Sequence, residues 1–212
     1  MKKLLVISLL SVAASVSSFA ASVSYSSNFG SSTTTFNTTT PLSQFDPALG
    51  ILTSITFFIS GSSSGSVSVT NNSGFDDFYN VNIATTLRMR TPANVVLTQV
   101  TPVFNDPALF VANGTTVTES NTSAVATNSS TIFSGFAPYT GLGTVNFNVL
   151  GTGSSTAAGS TPNVVTSTTS AIGFDRVTYN YNLTGVPEPA TMGLLGSALL
   201  GLGFLKFRTK KS

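Results

Sequence analysis

Apolar and polar residues alternate along most of this chain, most clearly from Phe78 to Arg90. There Tyr79, Val81, Ile83, Leu87 and Met89 share one face of an extended segment, and Asn80, Asn82, Thr86, Arg88 and Arg90 share the other. A period of two over this length predicts a half-buried antiparallel strand. Residues 51–60 place Ile51, Ile55, Phe57 and Ile59 on one face with Thr53 in register. The glycine- and serine-rich residues 61–65 predict a turn, after which residues 66–70 return with Val67 and Val69 inward. Further strands are predicted at 23–29, 33–39, 95–103, 115–119, 143–150 and 176–183. In the last two, Val145, Phe147 and Val149, then Val177, Tyr179 and Tyr181, point one way. Gly, Pro and Asn clusters separate these runs, and residues 152–163 are predicted to form an exposed loop. Many short strands with one apolar face predict an all-β, antiparallel two-sheet sandwich.

Only the two ends offer helical patterns, and both are membrane-directed. Lys2 and Lys3 precede an apolar stretch from Leu4 to Val16, and Ser18-Phe19-Ala20 is a small-x-small cleavage site. Residues 1–20 are therefore a predicted signal peptide, read by the Sec translocon and cut by signal peptidase after Ala20. At the other end, residues 190–205 carry no charge and are rich in Leu, Gly and Ala. As a helix this run would be roughly 24 Å long, a little short of the ~30 Å hydrocarbon core. Lys206 and Arg208 can snorkel across part of the gap. Lys206, Arg208, Lys210 and Lys211, in the basic tail 206–212, would stay cytoplasmic and leave residues 21–185 outside. Pro187 and Pro189 lack backbone donors, and Pro189 disfavours a helical Glu188. Val186-Pro187-Glu188-Pro189 is thus expected to be extended and unpaired just outside the bilayer, the form in which proteases take substrates.

An acid bracketed by prolines, one apolar helix and a basic end resembles the PEP-CTERM sorting signal of Gram-negative bacteria, here spanning residues 186–212. The resemblance implies processing by an exosortase-type membrane protease, and a surface or exported protein of a strain that makes exopolysaccharide. The same element is also called an ice-binding protein C-terminal domain, a label that does not imply ice binding. Within the body, Leu42–Ile55, Gly141–Phe147 and Val177–Tyr181 resemble the choice-of-anchor E domain. Those bacterial extracellular domains are attached through varied C-terminal signals and have no established activity, so this resemblance bears on architecture alone.

Charge and residue content narrow the chemistry. The net charge of +2 belongs to the end segments; in residues 21–185, Asp46, Asp76, Asp77, Asp106, Glu119 and Asp175 face only Arg88, Arg90 and Arg176, six acids against three bases, or −3. No basic patch for nucleic acid exists. Cysteine and histidine are absent from the chain, which removes thiol chemistry, the commonest metal ligand and the commonest general base. A glycosidase needs two carboxylates across a cleft, yet Glu119 is the body's one glutamate, and adjacent Asp76 and Asp77 would point to opposite faces of a strand. As turn residues after Asn71-Asn72-Ser73-Gly74, Asp76 and Asp77, with Asp106, are calcium candidates without a matching loop motif. No metal site, cofactor or catalytic residue is assigned.

Sugar recognition would draw on aromatic rings, for which Tyr139, Phe136, Tyr79 and Phe104 are candidates, although tryptophan is absent. Most of these rings are expected in the core. The run Thr33–Thr40 suggests an ice-binding threonine array but stands alone, and a Thr-rich edge strand is the simpler expectation. Asn37, Asn71, Asn113, Asn121, Asn128 and Asn182 head N-x-[ST] sequons, and surface Ser/Thr glycosylation is a further hypothesis. The sequence thus predicts an exported, non-catalytic surface or matrix protein, transiently held in the inner membrane with its C-terminus cytoplasmic. It would act as a structural or interaction component of the exopolysaccharide or biofilm layer; the alternative is a carbohydrate-binding module.

Overall fold

The computed structural model describes residues 20–159 and 163–183. They form eleven strands: β1 (Ala20–Thr33), β2 (Phe36–Ser43), β3 (Ile51–Asn71), β4 (Asp77–Arg90), β5 (Val96–Val100), β6 (Val103–Val111), β7 (Thr116–Thr122), β8 (Ala126–Ile132), β9 (Thr144–Gly153), β10 (Thr156–Ala158) and β11 (Asn163–Asn182). Every strand pairing is antiparallel, and the strands form two sheets. In the first, β11 lies between β1 and β3, and the far edge of β3 is shared by β8 and β7. In the second, β4 pairs with β5 and β6 on one side and with β9 and β10 on the other, and β2 closes the edge beside β9. The all-β antiparallel sandwich is as the alternation predicts. The signal peptide helix and the membrane helix at about 190–205 lie outside the described residues. Among the described residues no helix is long and apolar enough to cross a membrane.

The core has two halves. The half carrying Ala20 and Asn182, the base, is aromatic: Phe45, Phe57, Phe147, Tyr139, Tyr179 and Tyr181 are buried with Ile55, Ile59, Leu87 and Met89. The rings of Tyr139 and Phe147 stack at 6.1 Å, and Phe57 meets Tyr139 at 5.3 Å. Tyr179 keeps its hydroxyl satisfied by donating to the Ser43 carbonyl at 3.0 Å, as buried tyrosines generally require. The far half is smaller, with Val67, Val69, Val81, Ile83, Leu109 and Val111 packed around Tyr79. A buried polar seam joins β3 to β4: Ser63 and Thr85 share a hydroxyl hydrogen bond of 2.8 Å, and the Ser63 N–H donates to Ser123 Oγ at 2.9 Å.

Several sequence expectations are corrected here. Residues 61–65 do not turn; β3 runs unbroken through both halves. Its glycines allow close approach instead: a Cβ on Gly61 would lie 2.4 Å from Leu87, and one on Gly65 would lie 2.2 Å from the Thr168 carbonyl. Ile51 is 65 % exposed rather than inward, because a register shift opposite Asn180 and Tyr181 inverts the alternation and turns Leu52 to the core. The predicted strand 95–103 divides at Thr101-Pro102 into β5 and β6. The predicted strand 33–39 straddles the break between β1 and β2, and residues 152–163 contain the end of β9 and all of β10. β8 was not foreseen, since Ala126–Ile132 shows no apolar alternation.

Candidate functional site

The two ends of the body meet. Ala20, the last residue of the predicted signal peptide, opens β1 directly opposite Asn182, the last residue of β11; on its other side Asn182 pairs with Ile51. Paired Cα atoms of antiparallel strands sit about 4.5–5.5 Å apart. Tyr181, one residue earlier, is buried against Phe45 with ring centroids 5.1 Å apart. Gly50 closes the corner at φ 152°, where a Cβ would come within 2.2 Å of the Asn182 carbonyl. This left-handed conformation and close approach both require glycine. Val186 follows Asn182 by four steps along the chain, which limits it to about 14 Å from the last paired residue. The predicted signal peptidase site and the sorting motif therefore leave from one end of one sheet. Ser18, Val186, Pro187, Glu188, Pro189, Lys206, Arg208, Lys210 and Lys211 all lie outside the described residues.

The acidic candidates do not assemble. Asp76 Oδ1 accepts from the Asn113 N–H at 2.8 Å, and Asp106 Oδ1 accepts from the Ala108 N–H at 3.0 Å, so each braces a loop. Asp77 begins β4 in the second sheet, whereas Glu119 lies on β7 in the first, opposite Val67. Among the described residues no group of three or more Asp, Glu, His or Cys side chains could hold a metal. The aromatic candidates are core residues: Tyr79 and Tyr139 are buried, and Phe104 and Phe136 are partly buried against the two clusters. Burial pushes the Tyr79, Tyr139 and Tyr179 phenols above the ordinary tyrosine range. The threonines of 33–40 form no flat array, because the chain crosses between sheets within them and Thr40 is buried.

Asn71 is fully buried, donating to the carbonyls of Phe75 and Val111 at 2.9 Å each and accepting from Ser73 N–H at 3.0 Å. It is a structural linchpin of the far half and not a glycan acceptor. Open clefts among the described residues include one of about 590 Å³ beside Pro92, Pro138 and Tyr139, and one of about 400 Å³ between Thr34, Ser155 and Thr169. Neither is lined by an acidic or basic side chain.

Sequence reasoning passed over two features. Asp175 is a buried carboxylate: Oδ2 accepts from Thr40 Oγ1 at 2.7 Å, and Oδ1 has no hydrogen-bond partner among the described residues. Burial pushes its carboxyl up to about 6, against the opposing pull of the Thr40 hydroxyl. Its inward register beside Val177 and Tyr179 was the available signal. The other is a pair of exposed rings, Phe78 and Phe110, 60 % and 49 % exposed, facing each other across β4 and β6 with centroids 5.3 Å apart. Phe78 falls on the polar parity of β4, where an apolar ring is out of place.

Comparison with known proteins identifies the tail. Residues 185–210 match the PEP-CTERM protein-sorting motif. The chain therefore carries the signal of an exported protein that is anchored transiently in a membrane and processed by an exosortase-type protease. The choice-of-anchor E resemblance of the body is not confirmed by this match. Among curated proteins no sequence matches the chain. Solved structures similar to it include infectious bursal disease virus Gx strain, at 12 % identity and TM-score 0.19, covering 85 % of this chain and 47 % of that one. T=1 particles derived from the same virus align at 9 % identity and TM-score 0.17, covering 85 % and 46 %. Its VP2 subviral particle aligns at 12 % and 0.19, covering 85 % and 48 %. The chain spans about half the length of these proteins, and likenesses this slight carry no argument.

Proposed function

We propose that this protein is exported unfolded, folds outside the inner membrane while its tail holds it there, and is released by cleavage at Val186–Pro189 into the exopolysaccharide layer. There it serves as a non-catalytic structural or interaction component at the cell surface or in the matrix. The single observation that carries this reading is the sorting motif at residues 185–210. The pairing of Ala21, the first residue left after the predicted cleavage, with Tyr181 supports it, because the tail then leaves from a closed sheet end rather than from a loose segment. A non-catalytic role is supported by the two clefts described above, which carry no acidic or basic group, and by Asp76 and Asp106, each committed to bracing a loop. A carbohydrate-binding module is the second reading, favoured by the exposed Phe78–Phe110 pair.

The test is a Pro187→Ala, Glu188→Ala double variant expressed in an exosortase-bearing host. It should keep its tail and accumulate in the membrane fraction while the wild type appears outside, shortened at both ends by mass spectrometry. Equal release of the two proteins would count against an extended recognition segment.

A further inference from the structure

The outer face of the far half combines rings and amides in a way that the core does not require. On β4 the odd residues Tyr79, Val81 and Ile83 are buried, so Phe78, Asn80 and Asn82 face outward. Register places Phe110 opposite Phe78 and Asn105 opposite Asn82 on β6, while Ala158 and Thr156 of β10 lie opposite Asn80 and Asn82. The register shift between Tyr79 and Val81 leaves Asn80 without a directly opposed residue on β6. Asn82 Nδ2 donates to Asn80 Oδ1 at 3.1 Å, which aligns the two amides and leaves the Asn80 N–H groups for an outside acceptor. From the Phe78 row to the Asn82 row the strand advances about 14 Å, longer than one sugar ring.

We propose that this face, Phe78 and Phe110 with Asn80, Asn82 and Asn105, is a binding platform for a neutral polysaccharide. The proposal rests on the second reading given above and names its site and ligand class. Ring faces take up the C–H surfaces of sugars, and amides exchange hydrogen bonds with their hydroxyls. Charge selects among polymers. The platform itself carries no ionisable side chain: Asp77 and Asp106 are in register with the buried Val111 and Val81, on the inward parity. Arg88 and Arg90 share the outward parity of β4 but begin about 20 Å beyond Asn82, and the body as a whole carries −3. An anionic polysaccharide or nucleic acid finds no cation on the platform to pair with and meets a net-negative body, whereas an uncharged polymer loses nothing by either.

The opposite outer face provides the contrast. There Phe58 and Phe174 also pair, at 5.6 Å, but the Arg176 guanidinium covers Phe58 at 4.7 Å from its centroid. That ring face is already occupied; at Phe78 and Phe110 no cation–π partner is present among the described residues.

The protein purified from the extracellular fraction is run in gels containing xylan, mannan or a β-glucan as neutral probes, and alginate as the anionic one. At least one neutral polymer should retard the wild type more than alginate does. Phe78→Ala, Phe110→Ala should weaken that association about tenfold or more, the equivalent of one desolvated ring contact. Asn82→Ala should weaken it less, and Phe58→Ala, Phe174→Ala should leave it unchanged. Unfolding midpoints control for folding, because the rings removed at 78 and 110 are exposed.

The platform is overturned by any of three results. These are a wild type that no neutral probe retards, stronger retardation by alginate, or unchanged retardation of the Phe78/Phe110 variant. Self-association that vanishes with the same variant, without glycan binding, would assign the face to a second copy and also end the proposal. Processed protein outside the cell that fails to bind sinks the platform alone. Uncut protein in the cytosol sinks the export reading beneath it.

Discussion

The base and the far half of the sandwich are built from the same long strands, yet they are held together differently. At the base, β1 and β2 add an edge strand to each sheet, and the interior is filled by seven buried aromatic rings, those of Phe29, Phe45, Phe57, Tyr139, Phe147, Tyr179 and Tyr181. In the far half β11 loses its β1 partner beyond Ser170, and the core shrinks to Tyr79 among aliphatic residues. What the far half lacks in apolar volume it replaces with side-chain hydrogen bonds, chiefly those of Asn71 and of the loops braced by Asp76. The difference places the rigid, heavily packed end where the sorting tail departs. The thinner end, clothed in amides and two exposed rings, is left to meet whatever lies outside.

Three substitutions would break or sharpen that contrast. Phe57→Ala empties the centre of the aromatic base and should cost about 3–5 kcal/mol. For a domain of this size that lowers Tm by roughly 6–20 °C in a calorimetric scan. A loss below 1 kcal/mol would mean the base is not the stability centre.

Asp175, also in the base, comes next. Its carboxyl is raised to about 6 from an ordinary 3.8, so the folded state holds the proton more tightly than the unfolded chain. The resulting stabilisation is fully present below about 3.8 and is lost as pH rises through about 6. Urea unfolding should therefore show the wild type about 3 kcal/mol more stable at pH 3.5 than at pH 7.5 from this group. Asp175→Asn should remove the slope and raise stability at pH 7.5. A variant with the same slope as the wild type would show that another group is responsible.

The smallest effect belongs to the far half. Asn71→Ala removes the amide donor from the Val111 carbonyl and leaves the Phe75 carbonyl only the Ser73 hydroxyl, and should cost about 1–3 kcal/mol. Amide exchange should quicken first in residues 103–117 while the base stays protected. Uniform acceleration across both halves would show that they unfold as one unit.

How much of this was readable in advance depended on how each residue does its work. The faces of Phe78–Arg90, Thr144–Leu150 and Val177–Tyr181 were visible because one buried side imposes a period of two. Ala126–Ile132 was invisible because a strand of Ser, Thr and Asn satisfies backbone pairing without any apolar alternation. Gly61 and Gly65 were misread because glycine serves equally for a turn and for close contact, and only the approach of Leu87 and Thr168 separates the two. Tyr139 and Tyr79, candidates for a surface site, proved to be core. Phe78 was on the wrong parity for a core ring, but its partner Phe110 lies on a strand whose register no local pattern fixes.

By itself the sequence determined the sorting motif at residues 185–210, the all-β class, the acidic body and the missing thiol and imidazole chemistry. These are properties of composition and short-range order, and the sorting motif works as a contiguous string of residues. The tertiary structure alone decided that the ends meet across Ala20 and Asn182, that Asp175 is buried with one oxygen unpartnered, and that two phenyl rings stand exposed beside three amides. Each depends on pairing between residues far apart in the chain, and strand register is fixed by the packing of whole sheets rather than by neighbours in sequence.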